Sequence, residues 1–380
     1  MLINISTNAR SVIFLGLILA NAAAAAHAPT SLKAAFKGDF VIGAAINAAQ
    51  ITGQDARGDA IVVSQFNSIS PENVLKWVIV HPQPDKYDFT LADQYVAFGR
   101  KHHMFIVGHT LIWHNWVPAW VFHDANGNLL TRDALLARMR DHIHTVVGRY
   151  KGKIQSWDVV NEALNEDGTM RPTLWLKIIG EDYIEKAFEY AHEADPQAQL
   201  TYNDYNLENE PKRNGAIALV KKLRAEGIPI TTVGIQDHDH LNWPSTDQED
   251  AAISAFGALG LKVAITELDI NVLPNAGQQP TADVSLKIQQ DKALNPYPDG
   301  LPDFVQQQLA ARYAELFRVY LKHRGVVNRV TFWCVTDGDS WLNDWPVQGR
   351  TNYPLLFDRN GQPKPAFDAV IRVASEKQPH

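Results

Sequence analysis

Short apolar runs alternating with longer stretches of helical spacing constrain this chain more than any other feature. The runs cover 40–46, 65–70, 104–113, 154–162, 199–204, 232–238, 262–269 and 329–335. Amphipathic segments cover 91–103, 133–147, 177–194, 211–226, 246–259, 301–323 and 365–376. Within 133–147, Leu135, Leu136, Met139, Ile143, Val146 and Val147 recur at the period of a helix. Strands that alternate with helices predict βαβ units and a parallel sheet. Eight of them predict an α/β protein, a (β/α)8 barrel of the TIM type in one domain. A doubly wound sheet is the alternative. It calls for a glycine-rich phosphate turn, and no G-x-G-x-x-G or Walker pattern is present.

If the barrel forms, the ends of its strands converge on one face, where active sites sit. The polar residues lie at those ends. Glu72, Asn73 and Lys76 follow the second run, and His109, Trp113 and His114 close the third. Asn161 and Glu162 end the fourth, with Asn203 and Tyr205 at the fifth and Gln236 and His238 at the sixth. Glu267 and Asp269 lie at the seventh, and Trp333, Asp337 and Trp341 at or just beyond the eighth.

Two carboxylates facing a cleft rich in Trp, Asn and His suit glycoside hydrolysis, in which one carboxyl protonates and the other attacks or activates water. The chemistry needs unequal pKa values. Asp269 lies two residues beyond Glu267 on the same strand face, and His238 comes from the neighbouring strand. A carboxylate–imidazole–carboxylate arrangement would keep Glu267 ionised. Glu162 follows apolar residues with no basic neighbour in sequence, so desolvation is expected to raise its pKa.

In "NSISPENVLKW", "GHTLIWH", "WDVVNEA", "YNDYN", "GIQDH", "ITELDI" and "FWCVTDGDSWL", taken in order, the chain resembles glycoside hydrolase family 10, whose typical member is an endo-1,4-beta-xylanase. The resemblance implies a retaining mechanism with Glu162 as acid/base and Glu267 as nucleophile. It implies that Asn161 and His238 hold the −1 sugar and the nucleophile, and that Gln236, His109, Trp113, Lys76 and Trp341 complete that subsite. Glu72, Asn73 and Trp333 would serve −2, and Tyr205 the aglycone side. The chain departs from the family pattern at Cys334, where glycine is usual, and in a long segment at 274–302. Strand alternation turns Cys334 away from Trp333 and predicts inert packing against a helix. The segment at 274–302 is expected on the active face as one wall of the cleft, carrying one short helix.

Arg10 followed by an apolar run and alanine-rich A-x-A sites predicts a secretory signal peptide over about 1–28, with the catalytic barrel over 29–380. The expected location is secreted or periplasmic, with no membrane anchor after cleavage. A single cysteine forbids an internal disulfide. The net charge of −7 disfavours a nucleic-acid partner. The 14 histidines form no H-E-x-x-H motif, so no metal or cofactor is expected. The expected partner is xylan or xylo-oligosaccharide, and the expected state is a monomer. A non-catalytic glycan-binding barrel is one alternative, although it has no need of a carboxylate pair. A β-1,4-glucanase on the same scaffold is the other.

Overall fold

The computed structural model describes residues 31–275 and 280–376; the predicted signal peptide lies outside the described residues. Nine strands follow one another: β1 (Val41–Ile46), β2 (Ser68–Pro71), β3 (Phe105–Ile112), β4 (Ser156–Asn161), β5 (Gln199–Asp204), β6 (Thr232–Ile235), β7 (His238–His240), β8 (Lys262–Asn271) and β9 (Val327–Phe332). All pairings are parallel. They run from β1 through β6, pass from β6 to β8, and return through β9 to β1. The sheet is therefore a closed eight-stave barrel. β7 pairs with β8 and continues the sixth stave beyond a break at Gln236 and Asp237.

Helices cover the barrel between staves, and their starts are legible. Thr131 caps Arg132–Arg149 by accepting from the Ala134 N–H, and Ser245 and Gln248 form a capping box ahead of Thr246–Ala258. Pro211 occupies the first turn of Glu210–Ala225, where its missing N–H costs nothing.

Three expectations need correction. The helix Ala56–Gln65 precedes β2, so the second strand begins at Ser68 rather than Gln65. Ile61, Val62 and Val63 in that helix are β-branched and carry strand propensity, but Asp55 caps the segment by accepting from Gly58. The helix expected over 177–194 is two helices, Leu174–Ile179 and Tyr183–Ala194, separated at Gly180 with φ of 106°. Finally, β9 ends at Phe332, so strand alternation does not reach Cys334, whose φ is 95°. That positive φ accounts for the glycine usual at this position. The buried thiol has Glu72, Asp339 and Asp269 as its electrostatic neighbours, and together they push its pKa up after burial itself. It therefore sits at the mouth of the barrel rather than in the outer helical layer.

The segment after β8 lies on the same mouth. Asn206 donates to the Pro280 carbonyl, Arg171 pairs with Asp283 at 3.3 Å, Trp345 donates to the Asp283 carbonyl, and Ile288 donates to Pro346. Among its described residues it carries one 3-10 turn, Lys292–Leu294.

The barrel wall is tight where β3 meets β4. Gly108 is paired with Trp157, which is 1% exposed, and a Cβ added at Gly108 would stand 2.1 Å from the indole. Gly108→Ala is expected to lower stability by about 1–3 kcal/mol through overpacking. Gly148→Ala, at an exposed helical position with nothing within 4 Å, is expected to raise it by about 0.5–1 kcal/mol. Denaturant unfolding of the two variants checks both signs; equal effects would contradict the packing described.

Candidate active site

The strand ends surround a cavity of about 610 Å3. Its wall includes Glu72, Asn73, Lys76, His109, Trp113, Asn161, Glu162, Gln236, His238, Glu267, Trp333 and Trp341. Neighbouring residues of a regular strand point to opposite faces, yet Asn161 and Glu162 both line this wall. The backbone resolves the conflict. β4 ends at Asn161, and Glu162 adopts φ of 56°, the left-handed region. For a residue other than glycine this costs about 1–2 kcal/mol. The turn is held by the Glu162 N–H donating to the Asn203 carbonyl at 2.9 Å and by Arg171 Nε donating to the Glu162 carbonyl at 3.1 Å.

The two glutamates are 4% and 5% exposed and are joined by amides. Asn161 Nδ2 donates to Glu162 Oε1 at 3.1 Å. Asn203 Nδ2 donates both to Asn161 Oδ1 and to Glu267 Oε1, each at 2.8 Å. Thr266 donates to Asn203 Oδ1 and fixes that amide's orientation. Gln236 Nε2 reaches Asn161 Oδ1 at 3.3 Å and Glu162 Oε1 at 3.2 Å, and Trp113 Nε1 donates to Glu162 Oε2 at 2.8 Å.

Their surroundings differ in sign. Burial pushes Glu162 up, the Asp204 carboxylate pushes it further, and the bonds from Gln236 and Trp113 do not cancel this, leaving its pKa at about 7. Burial acts on Glu267 too, but there the bond from His238 and the charges of His109 and His238 outweigh it. Glu267 is held below the ordinary glutamate value. His238 lies between Glu267 Oε2 at 3.2 Å and Asp269 Oδ1 at 3.0 Å. Burial disfavours its charge, but the two carboxylates prevail and lift its pKa to about 10. Trp341 Nε1 in turn fixes Asp269 Oδ2 at 2.7 Å. A carboxyl that keeps its proton near neutrality and a carboxylate that stays ionised, facing one cavity, are what displacement at an acetal requires.

Other named residues support the wall. His109 Nδ1 meets Asp158 at 3.0 Å. Lys76 donates to Asn73 at 2.8 Å and stands 5.0 Å from the Trp113 ring. Burial lowers the Lys76 pKa against the pull of Glu72, Glu267 and Glu162. Asp269 and Tyr205 stand behind the lining. Tyr205 is buried, takes a bond from Arg171 at 2.6 Å and is covered by Lys212 Nζ at 3.5 Å from its ring. His114 and Asp337 also lie outside this wall: His114 lines a separate hollow beside Arg171, and Asp337 pairs with Lys364 at 3.0 Å. The wall also holds Asn115, Trp116, Ala282, Val284 and Trp345, which the strand-end argument misses because they belong to loops. Trp116 and Trp345 had a visible signal, since each indole stands within a few residues of one already named. Trp345 stacks on Trp341, with centroids 4.4 Å apart.

The model of glycosyl hydrolase family 10 matches residues 31–373. Endo-1,4-beta-xylanase A of Xylanibacter ruminicola is 44% identical over 359 residues, spanning 94% of this chain and 97% of that protein. Beta-1,4-xylanase of Dictyoglomus thermophilum is 43% identical over 344 residues, spanning 90% of each. Among solved structures, a family 10 endoxylanase retrieved from sugarcane soil metagenome superposes with a TM-score of 0.89 at 46% identity, covering 90% of this chain and 100% of that one. The chain belongs to glycosyl hydrolase family 10, a family of retaining glycoside hydrolases.

Proposed function

We propose that this protein is an endo-1,4-beta-xylanase in which Glu267 is the nucleophile and Glu162 the acid/base. The observation that carries the assignment is that, within one cavity, Glu267 is bonded by a His238 anchored on Asp269 while Glu162 takes only neutral donors. The names of the relatives support the substrate class. In the first step a Glu267 oxygen bonds to the anomeric carbon while the bond to the leaving oxygen breaks, and Glu162 gives that oxygen its proton. In the second, Glu162 takes a proton from water, the water oxygen bonds to the anomeric carbon, and Glu267 leaves as carboxylate. Two inversions give net retention. His238 and Asn203 stabilise Glu267 as the carboxylate it must be at the start and the end. Asn161, Gln236, His109, Trp113, Lys76 and Trp341 are proposed to hold the −1 sugar, with Glu72, Asn73 and Trp333 at −2 and Tyr205 supporting the aglycone side through Arg171.

Trp333 and Trp341 stand in the wall, and Trp345 backs Trp341. Indoles there crowd the C5 hydroxymethyl group that glucose has and xylose lacks. Reducing-sugar release is expected from xylan at a rate far above that from carboxymethylcellulose. Comparable kcat/KM values on xylo- and cello-oligosaccharides would favour the glucanase.

Residues 1–28 are proposed to be a secretory leader and 29–380 the catalytic unit, secreted or periplasmic and monomeric. The apolar run after Arg10 supports the leader. No helix among the described residues is long and apolar enough to cross a membrane. N-terminal sequencing of the exported protein is expected to find a start just after one of the alanines in 22–28. An uncleaved, membrane-bound chain would contradict it.

The carboxyl roles separate kinetically. The acid form of Glu162 is required for the first step, so kcat/KM on xylan is expected to fall as pH rises through about 7. Glu267→Ala is expected to abolish turnover. Glu162→Ala on an aryl glycoside with a good leaving group is expected to form the glycosyl–enzyme and stall, with azide releasing a β-glycosyl azide. An α-azide from Glu162→Ala, or near-normal turnover by Glu267→Ala, would reverse or remove the assignment.

A further inference from the structure

Three carboxylates that take no part in the cavity wall meet behind the sixth stave. Glu208 comes from the turn after β5, which by sequence reads as loop chemistry. Asp237 comes from the break between β6 and β7, and Glu249 from the first turn of Thr246–Ala258. They are 2%, 1% and 0% exposed, and one oxygen of each lies within 4.8 Å of the others. Glu208 Oε1, Asp237 Oδ1 and both oxygens of Glu249 have no hydrogen-bond partner among the described residues.

The nearby cations bond to other carboxylates, although Arg312, whose Nε is unbonded, and Lys212 act on the cluster through their charge. Arg312 pairs with Asp239 at 2.9 Å, and Lys212 with Asp204 and Glu166 at 3.0 Å each. Lys322 and His323 pair with Asp250. Tyr320 donates to Asp237 Oδ2 at 2.6 Å, which leaves the other Asp237 oxygen bare. Three buried carboxylates at this spacing cannot all ionise without a counter-charge. A shared proton can join Glu208 to Asp237, which are in side-chain contact. Glu249 lies outside that pair and receives no donor on either oxygen.

We infer that Glu208, Asp237 and Glu249 form a structural binding site for a calcium ion. Calcium takes oxygen ligands only, including bidentate carboxylates, at 2.3–2.6 Å, so oxygens on opposite sides of one ion stand about 5 Å apart. The three side chains match that sphere. Magnesium demands shorter octahedral bonds and keeps several waters, which three side chains this deeply buried do not favour. The ion ties β5, the broken sixth stave and the following helix together. Asp237 stands between Gln236 and His238, each of which touches one of the two cavity glutamates, so the ion also steadies the backbone that aims them. The three ligands fall in no metal motif, which is why sequence spacing gave no hint of them.

Thermal unfolding of the full chain, with metal content by mass spectrometry, tests the site. About one equivalent of calcium is expected after gel filtration. Chelation by EDTA is expected to lower Tm by about 5 °C, with calcium but not equimolar magnesium restoring it. Glu249→Gln is expected to lose both the bound calcium and the calcium-dependent shift, while Asp250→Asn keeps them. A wild-type chain with no calcium and a Tm indifferent to EDTA and to added calcium would overturn the inference and leave the carboxyls holding protons. A calcium shift that survives in Glu249→Gln would overturn it too, by placing the ion elsewhere. Because the wild-type measurement stands alone, failure of a variant to fold does not rescue the proposal, and neither arm depends on the xylanase reading.

Discussion

Two carboxylates kept out of water beside each other repel, and each loses several kcal/mol of hydration. The arrangement around Glu162 and Glu267 answers that cost differently on its two sides. Glu267 receives a charged imidazole, itself anchored by Asp269 and, through it, by Trp341. Glu162 receives only neutral donors and has Asp204 behind it, so it meets the cost by keeping its proton. The Asn161–Asn203 relay fixes the two carboxyls relative to each other without adding charge. Remove His238 and the asymmetry shrinks, because Glu267 loses the bond that most offsets its burial and keeps only the charge of His109 and the Asn203 bond.

This asymmetry depends on backbone that leaves regular strand geometry where the staves end. Glu162, Asp237 and Cys334 all have positive φ: Glu162 and Cys334 follow the ends of β4 and β9, and Asp237 lies in the break between β6 and β7. At Glu162 the turn brings consecutive residues onto one wall. At Asp237 it splits the sixth stave so that Gln236 and His238 serve different glutamates. At Cys334 it carries the chain from β9 into the loop that bears Trp341 and Trp345. Strain of this kind persists where surrounding contacts over-determine it, and here the hydrogen bonds to Asn203 and Arg171 supply those contacts at Glu162.

The barrel was legible because its parallel strands are buried on both faces and read as apolar runs. Most helices were legible from their spacing and caps. Ala56–Gln65 was not, since Ile61, Val62 and Val63 carry strand propensity that the Asp55 cap overrides. The pair Glu162 and Glu267, with His238 and Asp269, could be named because strand ends of a barrel share a face. Asn203 was visible as a strand-end amide, but its bridging role depends on cross-strand distances that no sequence carries. Ala282 and Val284 belong to the segment 274–302, expected as a wall of the cleft, whereas Trp116 and Trp345 enter through loops whose path follows from tertiary contacts such as Trp345 with Asp283.

The central claim is that Glu267, not Glu162, attacks the sugar. Incubation with an activated 2-deoxy-2-fluoro xylobioside slows the second step and leaves the covalent intermediate in place. Peptide mapping by mass spectrometry is then expected to find one sugar per chain, on the peptide that contains Glu267. A label on Glu162, or steady turnover with no covalent species and an inverted product, would contradict the account.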